Sequence, residues 1–194
     1  YREKLERAKQ ELETMSLTDP LTGLANRRHL METLEKEISR HGRRERAFSV
    51  AILDIDHFKA VNDTHGHLCG DRVLAHLGQT FREQLRTYDF VARYGGEEFC
   101  VILANTALSE ARIVMERLRE RVASTPFLFE EKAVHLTVSV GLTSNEGLEE
   151  ITLDALLSRA DEALYRAKTE GRNRTLVSGE RRSGSQPPLR SLGR

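Results

Sequence analysis

Cys69 and Cys100 are the only cysteines in 194 residues, and they do not form a Cys-x-x-Cys pair. Two are too few for a disulfide framework, so a reducing cytosol is the simplest compartment. No apolar run approaches the roughly 18 residues that a bilayer requires. No signal peptide opens the chain either. The chain starts at Tyr1 rather than Met and is read as a piece of a longer protein, whose parent is free to be membrane-bound. Net charge is absent as well: 30 basic and 30 acidic residues cancel. No global field then favours nucleic acid or direct membrane contact, and any anion binding must come from local clusters.

What remains is an ordinary soluble composition, 39% hydrophobic and 31% charged, at a length that suits one domain with short extensions. Tyr1, Leu5, Ala8, Leu12 and Met15 follow a heptad spacing over residues 1–16. Two heptads fit either a helix docked on its own domain or the end of a dimeric signalling helix. Thr18 to Leu24 is a Pro/Gly turn cluster, and Asn26 is placed to cap a helix through about Ser39. Phe48 to Leu53 reads as a strand covered on both faces. A short helix is expected over 57–62 and a longer one from Asp71 with Val73, Leu74, Leu77, Phe81 and Leu85 inward. The apolar runs Phe90–Tyr94 and Phe99–Leu103 flank Gly95-Gly96, a hairpin whose tight turn calls for positive φ. A helix over 107–123, strands at 127–129 and 134–142, a helix over 152–170 and a strand at 175–177 complete the pattern. The fold class is α+β, with a mixed central sheet flanked by helices. The tail over 179–194 reads as disordered.

Two features carry chemistry. Asp54-Ile55-Asp56 ends a buried strand, and Gly95-Gly96-Glu97-Glu98-Phe99 sits at a hairpin. If those strands are neighbours, Asp54 and Glu97 project over one sheet edge. Hard cations such as Mg²⁺ take one or two carboxylates plus substrate phosphates, and two such ions can clamp a phosphoryl transfer. Asp56 either shares a face with Asp54 or caps the short helix. His65 and His67 have metal-like spacing but no zinc partners, so His65 is read as a surface residue. Cys100, inside an apolar strand, is read as buried and inert.

Arg93-Tyr94-Gly95-Gly96-Glu97-Glu98-Phe99 resembles the signature of the GGDEF family of diguanylate cyclases, in its GGEEF form. The likeness runs over roughly residues 17–177. It takes in Asp19-Pro20-Leu21-Thr22-Gly23-Leu24-Ala25-Asn26-Arg27-Arg28, Asp54 through Asp63, Gly66-His67, Gly70-Asp71 and Ala160 through Lys168. The resemblance implies a fold like the palm of polymerases and nucleotide cyclases, with an N-terminal helical extension. It also implies condensation of two GTP into cyclic di-GMP and pyrophosphate, by 3′-hydroxyl attack on the α-phosphate across a homodimer. Two Mg²⁺ (or Mn²⁺) per half-site would be held by Asp54, Glu97 and the carbonyl of Ile55. Glu98 resembles the residue that accepts the hydroxyl proton or assists the metals.

The same resemblance makes Asn62 and Asp71 the guanine readers, with His67 between them. A carboxylate accepts from guanine N1–H and N2–H₂, a donor pair adenine lacks; the alternative for Asp71 is a plain helix N-cap. Lys168 and Arg172, four apart and therefore on one helix face, would meet the triphosphate. Backbone N–H groups of His57 and Phe58 would bind the β- and γ-phosphates. Lys59 either assists them or is a solvated lysine. Arg86-Thr87-Tyr88-Asp89 resembles the RxxD site for inhibitory cyclic di-GMP, and Arg117 the arginine that completes it from the neighbouring domain. Arg-x-x-Asp is otherwise a helix-end salt bridge. The expected organisation is a signalling helix at 1–16 below an upstream sensory domain, a catalytic domain at 17–178 and the tail. A receptor that senses cyclic di-GMP without catalysis is the alternative.

Overall fold

The computed structural model describes residues 17–179, apart from positions 45 and 149 and the side chains of residues 42–44. The heptad segment 1–16 lies outside the described residues, as does nearly all of the tail. In chain order the elements are α1 (Arg27–Arg44), β1 (Ser49–Ile55), α2 (Phe58–His65), α3 (His67–Gln84), β2 (Phe90–Arg93) and β3 (Glu98–Leu103). There follow α4 (Leu108–Ser124), β4 (Phe127–Phe129), β5 (Lys132–Val134), β6 (Val138–Ser144), α5 (Leu153–Thr169) and β7 (Thr175–Val177). Five strands form one sheet in the order β2-β3-β1-β6-β7, and β4 and β5 pair separately. Only β6 and β7 run parallel; β2/β3, β3/β1 and β1/β6 are antiparallel. The mixed sheet expected from the sequence is therefore present.

Alternation along the strands divides the core in two. Val50 and Ile52 of β1, with Cys100 and Ile102 of β3, pack with Leu30 and Leu34 of α1 and Leu156, Ala160 and Leu164 of α5. Ala51, Leu53 and Ile55, with Phe99, Val101 and Leu103, pack with Val73, Leu77 and Phe81 of α3 and Met115 and Leu118 of α4. Every residue of β1 is buried, which is why it carries an unbroken apolar run up to Asp54. Asp54 has the parity of Ile52, and Glu98 that of Cys100. Both carboxylates thus leave the sheet on the side of α1 and α5.

Several local expectations are corrected. Asn26 does cap α1, accepting from the His29 N–H at 3.0 Å, but the helix runs on to Arg44. The stretch 134–142 is two strands: β5 pairs with β4, and β6 begins at Val138 and is buried on both faces. Positive φ is absent at Gly95 and Gly96. The hairpin is wider than a two-residue turn, with both the Tyr94 and Gly95 N–H groups donating to the Glu98 carbonyl at 2.8 and 3.3 Å. Gly95 is small for another reason: a Cβ there would lie 3.0 Å from Glu98 Oε2. Long helix α3 starts at His67, not at Asp71, because Gly66 (φ 84°) makes the break between α2 and α3.

The position of α5 is set by Gly141 in β6. A Cβ there would meet the Ala160 carbonyl oxygen and the Leu164 nitrogen inside van der Waals contact, and both are backbone atoms that cannot swing aside. Gly141→Ala should destabilise the fold by about 3 kcal/mol, the upper range for core overpacking. Denaturant unfolding checks this, and an unchanged midpoint would mean that α5 is not held this closely.

Candidate functional site

The antiparallel register of β1 with β3 sets Asp54 opposite Glu98 and brings the Glu97 carbonyl to the Ile55 N–H at 3.4 Å. Helix α5 crosses this side of the sheet and delivers Lys168, whose Nζ lies 2.7 Å from Asp54 Oδ2. Asp54 is almost wholly buried, while Lys168 keeps about a third of its side chain in solvent. Burial pushes the Asp54 carboxyl above its ordinary range, and the Lys168 hydrogen bond and charge pull against it. Glu97 is raised by burial and then by the Asp54 charge, again against Lys168. Burial and Asp54 likewise raise Glu98, which also feels Asp161 and is relieved by Lys168 and Arg27. Raised carboxyls of this kind mark a crowded anionic site that favours additional positive charge.

That crowding tests whether a divalent cation fits. Among the described residues, no group of three or more His, Cys, Asp or Glu side chains is arranged to hold a metal. A site of hard oxygen donors from only one or two carboxylates is what Mg²⁺ uses when phosphates supply the rest. The Lys168 ammonium already occupies the position of a cation against Asp54. The donor set fits the ion.

Asp56 does something else. β1 ends at Ile55, and the Asp56 carboxylate accepts from Thr137 Oγ1 and Ser139 Oγ, both at 2.7 Å, and from the Asn173 N–H at 3.0 Å. It neither sits with Asp54 on the strand nor caps α2, whose preceding residue His57 is left-handed (φ 57°) with no side-chain cap. The His57 and Phe58 amides lie at the N-terminal, positive end of α2, and Lys59 is exposed. Asn62 lies against α3 so closely that a Cβ on Gly70 would overlap its Oδ1 at 1.9 Å. This contact brings Asn62 up to the backbone beside Asp71. Asp71 is exposed and is the fifth residue of α3, which removes the helix-cap reading. His67, the first residue of α3, is exposed, and His65 is half-buried.

Lys168 and Arg172 do not share a helix face. α5 ends at Thr169, and Arg172 stands in the following turn with φ 61°. Its guanidinium nevertheless acts on Asp54, lowering that carboxyl, so both cations reach the same edge by different routes.

The other cluster also assembles, though not as a salt bridge. Asp89 accepts from the Arg86 N–H at 3.0 Å, and its own N–H donates to the Arg86 carbonyl at 3.0 Å. The Arg86 guanidinium turns to the Tyr88 hydroxyl at 2.9 Å and lies over that ring. Arg117 Nη2 donates to the Gln84 carbonyl at 3.2 Å. Burial raises the Asp89 carboxyl, against the Arg86 N–H and the Arg86 and Arg117 charges. Arg117 of the same chain is therefore within electrostatic reach of Asp89. Asp89 Oδ1 is buried and has no hydrogen-bond partner among the described residues. Cys100 is fully buried, and desolvation pushes its thiol far up, as its strand position suggested.

The pattern of the sequence did not expose the support under the hairpin. Arg93 holds the turn from below, donating to the Gly95 carbonyl at 3.2 Å and to the Gly96 carbonyl at 3.2 and 2.8 Å. Its Nη1 also reaches Asp19 Oδ2 at 3.1 Å, 74 residues away. Arg27 stacks over Tyr94 at 4.9 Å and acts on Glu98 and Asp161. All of these residues stand inside recognisable motifs, but their pairing needs the tertiary fold. The 560 Å³ cavity by Arg40, His41, Arg46 and Tyr88 lies at the opposite end of β1 and β3 and takes no part in this site.

Comparison with known proteins points one way. The family model for "Diguanylate cyclase, GGDEF domain" matches residues 16–174. Diguanylate cyclase DgcP of Pseudomonas aeruginosa is 49% identical over 163 residues, 84% of this chain. The chain spans only about a quarter of that relative, 24% of its length. Among solved structures, the GGDEF domain of DgcB from Caulobacter crescentus in complex with c-di-GMP superposes with a TM-score of 0.81 at 34% identity, covering 84% of this chain and 94% of that one. The active GGEEF domain of a diguanylate cyclase from Vibrio cholerae gives a TM-score of 0.76 at 34% identity, covering 81% of this chain and 99% of that one.

The Asp19–Arg93 link under the hairpin makes a pH-dependent contribution to stability. Burial alone would raise Asp19, but the Thr22 side-chain and backbone hydrogen bonds and the Arg93 charge outweigh it and hold the carboxyl below 3.8. A depressed carboxyl stabilises the native state above its unfolded value, and that stability is lost as pH falls through the native value. Asp19→Asn should therefore cost about 2 kcal/mol at neutral pH, and the difference from the parent should close as pH drops below 3.8. Paired denaturation series at neutral and acid pH measure this. A constant difference would show that the carboxylate charge is not what matters.

Proposed function

The chain belongs to the GGDEF family of diguanylate cyclases, and from that premise we propose that it condenses two GTP into cyclic di-GMP. Each of two copies holds one GTP, and each ribose 3′-hydroxyl attacks the other nucleotide's α-phosphorus. Two phosphodiester bonds form, two phosphoanhydride bonds break, and two pyrophosphates leave. The observation that carries this reading is the convergence of Asp54, Glu97 and Glu98 at one sheet edge against the Lys168 ammonium, 2.7 Å from Asp54.

The Asp54 and Glu97 carboxylates and the Ile55 carbonyl would hold Mg²⁺ (or Mn²⁺), two per half-site. Bound there, the ions would lower the pKa of the 3′-hydroxyl and offset charge gathering on the transferring phosphate. Glu98 accepts the hydroxyl proton or supports that site. Its carboxylate folds back over Gly95, and its raised affinity for a proton suits an acceptor. Asn62 and Asp71 read guanine across the α2–α3 junction, with His67 at the ribose and base. The amides of His57 and Phe58, with Lys59, take the outer phosphates at the start of α2. Lys168 and Arg172 neutralise the triphosphate, and Lys168 exchanges Asp54 for a phosphate as the nucleotide arrives.

Arg86, Asp89 and Arg117 form the inhibitory product site. The unpartnered, buried Asp89 Oδ1 is an acceptor suited to guanine donors, and guanidinium groups suit a guanine O6/N7 edge and phosphates. The DgcB relative was solved with c-di-GMP bound. Residues 17–178 would be the catalytic domain. Residues 1–16 would carry a signal from an upstream sensory domain, and residues 179–194 would be a tail. Drawing on GTP, the domain would act in the cytoplasm.

Incubating the chain with GTP and Mg²⁺ and following cyclic di-GMP tests the proposal. Asp54→Ala and Glu97→Ala should each cut turnover by roughly a hundredfold or more while leaving the circular dichroism spectrum unchanged. Full activity in Asp54→Ala would refute the metal assignment. No product from a dimeric parent chain that still binds cyclic di-GMP would make it a receptor instead. Arg86→Ala should keep the initial rate and lose inhibition by added product; persisting inhibition would discredit that site.

A further inference from the structure

The turn after α5 has an unusual backbone. Gly171, Arg172 and Asn173 have consecutive positive φ values of 118°, 61° and 46°. For glycine this is free, but two successive left-handed side-chain-bearing residues persist only where the surroundings hold them. Three bonds do so. The Arg172 N–H donates to the Ala167 carbonyl at 2.9 Å, and the Asn173 N–H to Asp56 Oδ2 at 3.0 Å. The third comes from α4, where Arg119 Nη1 donates to Asn173 Oδ1 at 2.7 Å.

Arg119 is itself fixed. Its Nε donates to Glu116 Oε2 at 3.0 Å, and its side chain is only 14% exposed. Glu116 Oε1 accepts the Thr175 N–H at 3.0 Å, on the far side of the same turn. Burial works to raise Glu116, but the Arg119 and Thr175 bonds outweigh it and keep the carboxyl below its usual range. An isolated surface ion pair contributes little. This one is sheltered and grips the turn at two points just after Arg172, namely Asn173 and Thr175. Because Arg172 lies beyond the last residue of α5, no helix directs its side chain. The turn does.

We propose that Arg119, held by Glu116, is a positioning residue for GTP: through Asn173 it fixes the left-handed turn that aims Arg172 at the triphosphate. The proposal rests on the phosphate role of Arg172 given above. Asp56 secures the turn from the sheet side and Arg119 from the helix side.

Steady-state GTP kinetics on the full chain, with a thermal melt of each variant, test the link. Arg119→Ala should raise KM for GTP by roughly tenfold while kcat stays within about twofold, the pattern of lost substrate binding. Arg119→Lys should recover part of the loss, since one ammonium can reach Glu116 or Asn173 but not both. Asn173→Gly removes the accepting carboxamide yet keeps the left-handed backbone accessible, and should reproduce the KM rise if Arg119→Ala fails to fold. Arg119→Ala combined with Arg172→Ala should be no worse than Arg172→Ala alone, because the two act as a unit. The proposal is overturned if Arg172→Ala raises KM while Arg119→Ala and Asn173→Gly do not, or if the double variant multiplies the single effects. An unchanged KM in Arg172→Ala overturns the phosphate role, and this proposal with it.

Discussion

Four carboxylates, Asp54, Glu97, Glu98 and Asp161, crowd one edge of the sheet, and the burial that brings them together pushes every one of them toward its protonated form. Lys168 offsets that burden for all four, most directly through its 2.7 Å contact with Asp54. The rest of the site is arranged around this balance. Among the described residues, Lys168 is the one cation that acts on all four, with Arg172 assisting at Asp54 and Arg27 at Glu98 and Asp161. In the proposed mechanism a doubly charged ion would satisfy Asp54 and Glu97 better, and the released ammonium would then be free to meet a phosphate.

The topology explains why these groups meet. Antiparallel pairing of β1 with β3 sets Asp54 opposite Glu98, and strand parity sends both toward α5. Gly141 lets α5 approach the sheet within backbone contact distance, which places Lys168 and Asp161 over the edge. Arg93 ties the hairpin to Asp19, so that the turn carrying Glu97 is braced from below. On the opposite face α4 serves two ends: Arg117 lies near Asp89, and Glu116 and Arg119 grip the turn that carries Arg172.

Much of this was legible in the chain itself. Buried strands, capped helices and hairpin residues follow from short-range pattern, so β1, β2, β3, α4, α5 and β7 fall close to where the residues suggest. Reading failed where a local rule met a longer-range contact. Lys168 and Arg172 have helical spacing, but a left-handed turn held by Asp56 and Arg119 intervenes. Gly95-Gly96 suggested a tight positive-φ turn, whereas the wider turn spares Gly95 for the Glu98 carboxylate. Asp56 is expected from the sequence either to share a strand face with Asp54 or to cap α2, and Thr137, Ser139 and Asn173 claim it instead. The Asp19–Arg93 and Arg119–Asn173 links join residues 74 and 54 apart, separations at which spacing carries no signal.

The most direct test of the central claim is a crystal structure of the chain with Mg²⁺ and a GTP analogue that cannot react. The account predicts cation density between the Asp54 and Glu97 carboxylates, with Lys168 Nζ moved from Asp54 to a phosphate oxygen and guanine between Asn62 and Asp71. Nucleotide bound with no cation at those carboxylates, and Lys168 still paired to Asp54, would contradict it.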